Sequence, residues 1–161
     1  MITVLIISFV IFALYIIELI IVYGVPYSFS DGFYILNEKK FGLGYLFTIW
    51  CFIIAFSVMP IMFHLSEDKW FQFLGLFAGG GLCFVGAAPL FKSHEKTIHE
   101  TSAIITAIAG IIWIVLSGYW YVPVIAFITV LYLAYIDKKW MFWGELALFI
   151  SMYAALFIML M

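Results

Sequence analysis

Six long runs of apolar residues constrain this chain more than any other feature of its sequence. They cover residues 2–23, 45–63, 70–90, 98–117, 120–136 and 140–161. A helix needs about 20 predominantly apolar residues to cross the hydrocarbon core of a bilayer, and most of these runs reach that length. Charged residues make up 10% of the chain, whereas they make up about 25% of a soluble domain. The sequence therefore predicts an all-α fold, a polytopic transmembrane bundle of six spans that forms a single domain over residues 1–161.

The lysines predict how this bundle is oriented. Loops one, three and five carry six of them, namely Lys39, Lys40, Lys92, Lys96, Lys138 and Lys139, and the opposite side has only Lys69. Because lysine and arginine are enriched in cytoplasmic loops, we expect these three loops in the cytoplasm and both termini on the other side. Only Gly118 and Tyr119 separate spans four and five, so this region is either a tight hairpin or one broken helix. One broken helix would change the lysine count and remove this inference.

The composition gives little information about the partners of this protein. The chain has no arginine, which weighs against a dedicated phosphate clamp, and its net charge of −2 gives no indication of a nucleic-acid partner. The expected partner is the lipid bilayer. In the third span Gly75, Gly79, Cys83 and Ala87 recur every four residues and form a small-residue face. Another helix can approach such a face closely, so we expect close helix packing there and consider a homo-oligomer that uses this face.

Loop one, residues 24–44, holds several polar candidates. Ser28 or Ser30 is suited to cap a short helix, Asp31 favours its first turn, and aromatic residues such as Tyr34 give it an apolar side. One interpretation is an interfacial connector. The other is a wall over a cytoplasmic pocket, with Ser30 and Asp31 facing inward.

The polar stretch 89–106 allows two competing interpretations. Thr97 and Glu100 have the spacing of a capping box, which would start the fourth span at Thr97. If the helix starts earlier, Glu95 and His99 are neighbours on one face, with Ser102 nearby, and can pair or share a metal.

Two glutamates lie within apolar spans. Glu18 is about five residues from the end of span one that leads into loop one. Glu145 is about five residues from the end of span six that follows loop five. Carboxylates are costly at that depth unless they are protonated or partnered. We therefore expect them to gather with His99 at the cytoplasmic rim, together with Asp31, Glu95, Glu100 and Asp137. The alternative is that any membrane protein tolerates charge at this depth. The three histidines, His64, His94 and His99, come from both faces of the bundle, so we assign no metal site and no cofactor.

Three sequence elements resemble a known group. They are Pro-Tyr-Ser-Phe-Ser-Asp-Gly-Phe-Tyr at residues 26–34, Phe-Val-Gly-Ala-Ala-Pro-Leu-Phe at residues 84–91, and His99. They resemble small polytopic membrane proteins of bacterial and phage origin, which carry a Pro-x-Ser-x-Ser-Asp-x-x-Tyr element after the first helix. That group has no assigned activity. The resemblance suggests only that Ser28, Ser30, Asp31 and His99 belong together. Separately, we expect an integral membrane location, in a bacterial inner membrane.

A weaker resemblance is to the membrane hydrolases that include alkaline ceramidases. Those enzymes use serine, aspartate and three histidines on seven helices. This chain lacks their paired His-x-x-x-His near the C-terminus and has one helix fewer, so their zinc site is not carried over.

Three function classes remain open. The first, which asks least of the residues, is a small membrane protein that binds a lipid, peptide or protein partner in a polar pocket at the cytoplasmic rim, through Glu18, Ser28, Ser30, Tyr34, Ser102 and Glu145. The second is a membrane-embedded hydrolase in which His99, with Asp31 or Glu95, activates water directly or through a metal. The third is an oligomeric proton or ion channel or transporter that uses Glu18, Glu145 and His99.

Overall fold

The computed structural model describes the backbone of residues 1–161 and every side chain except those of Lys92 and Ser93. The described residues form seven α-helices and one 3₁₀ helix, with no β-strand. In chain order the helices are α1 (Ile2–Tyr23), α2 (Asp31–Lys39), α3 (Tyr45–Leu65), α4 (Leu74–Ala87), α5 (Glu95–Leu116), α6 (Tyr121–Asp137) and α7 (Trp140–Leu160), and the 3₁₀ helix Ala88–His94 joins α4 to α5. The prediction of an all-helical bundle is confirmed.

Five helical segments are long and apolar enough to cross a membrane. They are α1, α3, α5, α7 and the segment Leu74–Phe91, which combines α4 with the start of the 3₁₀ helix. Helix α6 is apolar but shorter, with 17 residues. These lengths and compositions indicate an integral membrane protein.

The helix boundaries depart from the predicted spans at two places. Helix α4 begins at Leu74 instead of residue 70, because residues 70–73 form turns in which the Gln72 N–H donates to the Lys69 carbonyl over 3.0 Å. Helix α5 begins at Glu95 instead of residue 98. Of the two interpretations of residues 89–106, the structure has the one in which the helix starts early. Glu95 and His99 therefore lie four residues apart on one face of α5.

Helices α5 and α6 are two separate helices, with a turn at Gly118 between them. Gly118 has a φ of 93°, its N–H donates to the Val115 carbonyl, and the Tyr119 N–H donates to the Ile114 carbonyl. This bonding pattern is a Schellman motif, in which glycine takes a left-handed conformation that stops the helix. Helix α5 therefore stops at this glycine, before α6 begins.

Loops one, three and five meet at one end of the bundle, which we call the loop end. The Phe142 N–H at the start of α7 donates to the Tyr27 carbonyl of loop one over 2.9 Å. The Tyr34 hydroxyl on α2 donates to Glu95 at the start of α5. At the opposite end, Trp113 Nε1 on α5 donates to the Ser66 hydroxyl, which follows α3, over 3.2 Å.

The small-residue face of α4 packs against another helix of the same chain. A Cβ placed on Gly79 would lie 2.8 Å from the Met59 Cβ of α3, and one on Gly75 would lie 3.2 Å from the Met62 Cβ. Close helix packing at this face is thus confirmed, but Gly75 and Gly79 are covered by α3. Self-association through the face of Gly75, Gly79, Cys83 and Ala87 stays a prediction.

Candidate functional site

The polar turn of loop one is closed by its own side chains. Asp31 Oδ2 accepts a hydrogen bond from the Ser28 N–H over 3.0 Å, and the Ser28 hydroxyl accepts one from the Asp31 N–H over 3.2 Å. This reciprocal pattern has the geometry of a capping box, and it closes the turn that leads into α2, which begins at Asp31. The Ser28 and Ser30 hydroxyls also contact each other over 2.9 Å. Asp31, which we considered as a catalytic carboxylate, is therefore occupied in a capping role.

Phe29 ties this turn to the bundle. Its ring is 2% exposed and packs against Phe142 and Phe149, with ring centroids 4.9 and 5.8 Å away. With the ring held there, the Phe29 N–H donates to Glu145 Oε2 over 2.7 Å. Glu145 thus gains a partner from loop one, an interaction that sequence spacing alone could not indicate because the residues are 116 positions apart.

A cleft of ≈ 400 Å³ opens at the loop end, between α2, α3 and α5. We call it the rim cleft, and it is lined by Ser30, Phe33, Tyr34, Phe47, Pro89, Glu95, Lys96, His99 and Glu100. It brings together four residues that the sequence proposed for a site, namely Ser30, Tyr34, Glu95 and His99. The sequence missed the aromatic wall and Lys96, although Lys96 directly follows Glu95 and was identifiable from that position.

Hydrogen bonds and charges set the chemistry of the rim cleft. The Tyr34 hydroxyl donates to Glu95 Oε1, and partial burial together with this carboxylate raises the pKa of Tyr34 to about 12. Lys96 Nζ lies 3.8 Å from Glu100 Oε1, and both side chains are largely exposed. Such exposed pairs contribute about 0–1 kcal/mol, so either partner is readily recruited by a ligand.

His99 is the half-buried imidazole of the rim cleft. It lies one turn beyond Glu95 on α5, and no hydrogen bond joins it to a side chain that the structure describes. The predicted capping box of Thr97 and Glu100 is wrong, because α5 begins two residues before Thr97 and has no side-chain cap, while Glu100 pairs with Lys96. Glu95 instead bonds to Tyr34, which leaves His99 free to contact a ligand.

A second cavity lies among α3, α4, α5 and α7. We call it the central chamber; it measures ≈ 130 Å³. Its lining is apolar except for Thr106, Glu145 and Tyr153. Glu145 lies near the loop end of the chamber, one and a half turns into α7. Sequence reasoning selected Glu145 for a different reason and did not select Tyr153 or Thr106.

The remaining predicted residues lie elsewhere. Glu18 is exposed and lines a lateral groove between α1 and α3, with Tyr15 and Trp50. Ser102 of α5 is buried against α4. Its backbone carbonyl oxygen would lie 3.1 Å from a Cβ placed on Gly81. Glu18, Glu145 and His99 therefore line three different cavities. The prediction that they share one pocket is wrong, because the helical phase turns Glu18 outward and Glu145 inward.

The histidines are also divided between the two ends. His64 Nδ1 lies 3.8 Å from Glu67 Oε2 at the end opposite the rim cleft. Across the part of the chain that the structure describes, no group of three His, Cys, Asp or Glu residues is placed to hold a metal ion.

The geometry thus gives two distinct candidate sites, a polar rim cleft at the loop end and an apolar central chamber with one carboxylate. They are separated by the loop-one turn, in which Phe29 binds Glu145 of the chamber and the next residue, Ser30, lines the cleft. No protein family, no curated protein and no solved structure matches this chain.

Proposed function

We propose that this chain is an integral protein of the bacterial inner membrane whose rim cleft binds the head group of a lipid. The proposal includes six spans, with α6 as the fifth, and places the loop end in the cytoplasm and both termini outside. The lysine distribution supports that orientation, since six of the seven lysines belong to the loops of this end. The observation that carries the function is the rim cleft itself, which combines an imidazole, an ammonium, carboxylates and a hydroxyl at the level of the span ends.

The charges of the cleft favour a zwitterionic head group over an anionic one. Glu95 and Glu100 provide acceptors for an ammonium group, while Lys96 and His99 provide partners for a phosphate. The weak Lys96–Glu100 pair is 3.8 Å long and can separate to contact both halves of such a head group. A primary ammonium donates hydrogen bonds that a trimethylammonium group lacks. Phosphatidylethanolamine is therefore the expected ligand among common phospholipids.

The cleft is also placed for access from the bilayer. Pro89 lines it, and the next residues of the 3₁₀ helix, Leu90 and Phe91, are exposed. Exposed apolar side chains beside a polar cleft suit an amphiphile, whose head group enters the cleft while its chains stay in lipid. A free polar peptide would leave these side chains in contact with water.

Native mass spectrometry of the purified protein tests this proposal. The protein is equilibrated with equimolar phosphatidylethanolamine, phosphatidylcholine and phosphatidylglycerol in detergent. We expect preferential retention of phosphatidylethanolamine, and we expect Glu95→Gln and His99→Ala to lower it about tenfold, because a hydrogen bond to a charged group contributes about 1.5–3 kcal/mol. His64→Ala is the matched control, since His64 is an exposed histidine at the opposite end.

Two results contradict the proposal. One is equal retention of the three lipids by the unmodified protein. The other is a loss of retention in His64→Ala as large as that in His99→Ala, which would show an effect of the protein's overall state rather than of the cleft.

One observation favours the hydrolase as a second candidate. Glu95 and His99 line the same cleft four residues apart, where a carboxylate and an imidazole can act on a bound ester. Against it, Glu95 is bonded to Tyr34 and Asp31 to the loop-one turn. Release of fatty acid from the retained lipid, abolished in His99→Ala and kept in His64→Ala, would favour the enzyme. The transport hypothesis gains no such support, because its three proposed residues line separate cavities.

A further inference from the structure

The lining of the central chamber includes one carboxylate, that of the half-buried Glu145. Glu145 Oε2 accepts the Phe29 N–H over 2.7 Å, and no hydrogen bond to Oε1 is found among the described residues. No lysine or histidine with a described side chain forms an ion pair with it. Glu145 is half-buried, and a partly desolvated carboxylate that is not paired with a cation is costly, so a chamber that keeps one is suited to a ligand that brings the opposite charge.

Two aromatic rings lie on the same face of α7 as this carboxylate, one and two turns further along the helix. Phe149 and Tyr153 follow Glu145 at intervals of four residues, and all three line the chamber. The Tyr153 ring is held by a hydrogen bond of 2.7 Å between its hydroxyl and that of Ser8. Aromatic faces attract cations, most strongly where water is excluded. Carboxylate and rings together therefore select a cation with an apolar body.

The size of the chamber limits that body. It measures ≈ 130 Å³, and an apolar protein cavity of about 150 Å³ binds benzene. The small residues Ala103, Ala107 and Gly110 of α5 form one wall and leave this space open. A single ring or short branched alkyl group fits, whereas a phospholipid does not.

We propose that the central chamber is a binding site for a small hydrophobic cation, an amine or quaternary ammonium of about one aromatic ring, with Glu145 as its counter-ion. The site is independent of the rim cleft, because none of its residues lines that cleft. The cation's charged group lies beside Glu145, and its apolar part packs against Phe149 and Tyr153.

Calorimetric titration with phenyltrimethylammonium tests this site, with tert-butylbenzene as the neutral compound of the same shape. We expect saturable binding of the cation to the unmodified protein in detergent, about tenfold weaker or weaker still in Glu145→Gln. The neutral compound should bind both proteins equally. Glu18→Gln is the matched control, since Glu18 is also a span carboxylate but lies in the lateral groove, and it should bind the cation as the unmodified protein does.

A second variant keeps the test decisive if Glu145→Gln folds poorly. Ala107→Leu fills the chamber from the α5 wall without altering any charge, and it should abolish binding of both compounds. His99→Ala, in the rim cleft, should leave cation binding intact. Absence of saturable binding to the unmodified protein, equal affinity of Glu145→Gln, or equal losses in Glu18→Gln and Glu145→Gln would each overturn the proposal.

Discussion

Tyr34 and Glu95 are 61 residues apart in the chain, and their hydrogen bond fastens α2 to the start of α5. The bond forms one side of the rim cleft. Both side chains were candidates from the sequence, but their pairing follows from α2 lying across the loop end, which residue spacing does not encode. A ligand that recruits Glu95 must compete with the Tyr34 hydroxyl.

Tyr34→Phe tests the contribution of this bond to stability through its dependence on pH. Burial and Glu95 raise the pKa of Tyr34 from near 10 to about 12 in the folded protein. A raised pKa means that the folded state favours the protonated phenol, so the stabilisation is complete below pH 10 and is lost as the pH rises to about 12. We expect unmodified protein to unfold at higher denaturant than Tyr34→Phe at pH 8, with the difference vanishing between pH 10 and 12.

Tryptophan fluorescence during detergent-induced unfolding provides the measurement. Tyr27→Phe is the control, because Tyr27 is an exposed tyrosine of loop one whose hydroxyl makes no hydrogen bond to a described residue. A difference between unmodified protein and Tyr34→Phe that stays constant from pH 8 to pH 12 would contradict this account.

Asp31 and Ser28 show what sequence reasoning at single residues can and cannot reach. Their types and spacing suited a helix cap, and their side chains close the turn that leads into α2. The same types also suited catalysis, and only the bond geometry separates the two roles. Glu145 was selected from its depth alone, since neither its partner Phe29 nor the chamber beside it can be read from local spacing.

Helix α4 is held between its neighbours by glycines on two faces. A Cβ on Gly86 would lie 2.6 Å from the Cys51 Cβ of α3, and the Thr48 hydroxyl donates to the Gly86 carbonyl over 2.7 Å. On the other face, a Cβ on Gly81 would lie 3.1 Å from the Ser102 carbonyl of α5. Gly80 points to open space, with nothing within 4 Å of its Cβ position. The glycines of α4 therefore differ in whether a larger side chain can replace them.

Gly86→Ala and Gly80→Ala form a matched pair for this packing. We expect Gly86→Ala to lower the free energy of unfolding by about 1–3 kcal/mol, because overpacking at a backbone contact forces α3 and α4 apart. Gly80→Ala should leave it unchanged or raise it by about 0.5–1 kcal/mol, since alanine favours the helix. Reversible unfolding in mixed micelles measures both, and equal effects of the two substitutions would contradict the assigned contacts.

The elements themselves were largely predictable. Apolar runs located all six long helices, and turn residues located α2, because span length and capping chemistry are local properties. Two helix starts were predicted wrongly, at residues 70–73 and 95–97. In both places the change between polar and apolar residues does not coincide with the start of the helix. Tertiary contacts contribute to such boundaries. At the start of α5, for example, Glu95 accepts a hydrogen bond from Tyr34 of α2.

At the scale of the whole molecule, the loop end carries nearly all of the positive charge. Loops one, three and five meet there through contacts such as Phe142 with Tyr27 and Tyr34 with Glu95. The proposed orientation therefore predicts which loops a membrane-impermeant reagent can reach. Glu38 on α2 and Glu67 after α3 are both exposed and lie on opposite ends.

Cysteine labelling of intact cells measures this orientation. In a background with Cys51→Ala and Cys83→Ala, we expect Glu67→Cys to react with a membrane-impermeant maleimide in intact cells, and Glu38→Cys to react only after permeabilisation. Replacing glutamates keeps the lysine count unchanged, so the substitutions do not disturb the orientation signal. The reverse pattern, or labelling of both positions in intact cells, would contradict the orientation.

Helix α6 has a consequence for the surrounding lipid. Its 17 residues span about 26 Å at 1.5 Å per residue, a few ångströms less than the hydrocarbon thickness of about 30 Å. Hydrophobic mismatch of this kind is relieved when the adjacent lipid leaflets become thinner. In the proposed arrangement of six spans, the bilayer beside α6 is thinner than the bilayer beside the longer helices. Lipids with short acyl chains match this thinner region best, so we expect them to be enriched beside α6.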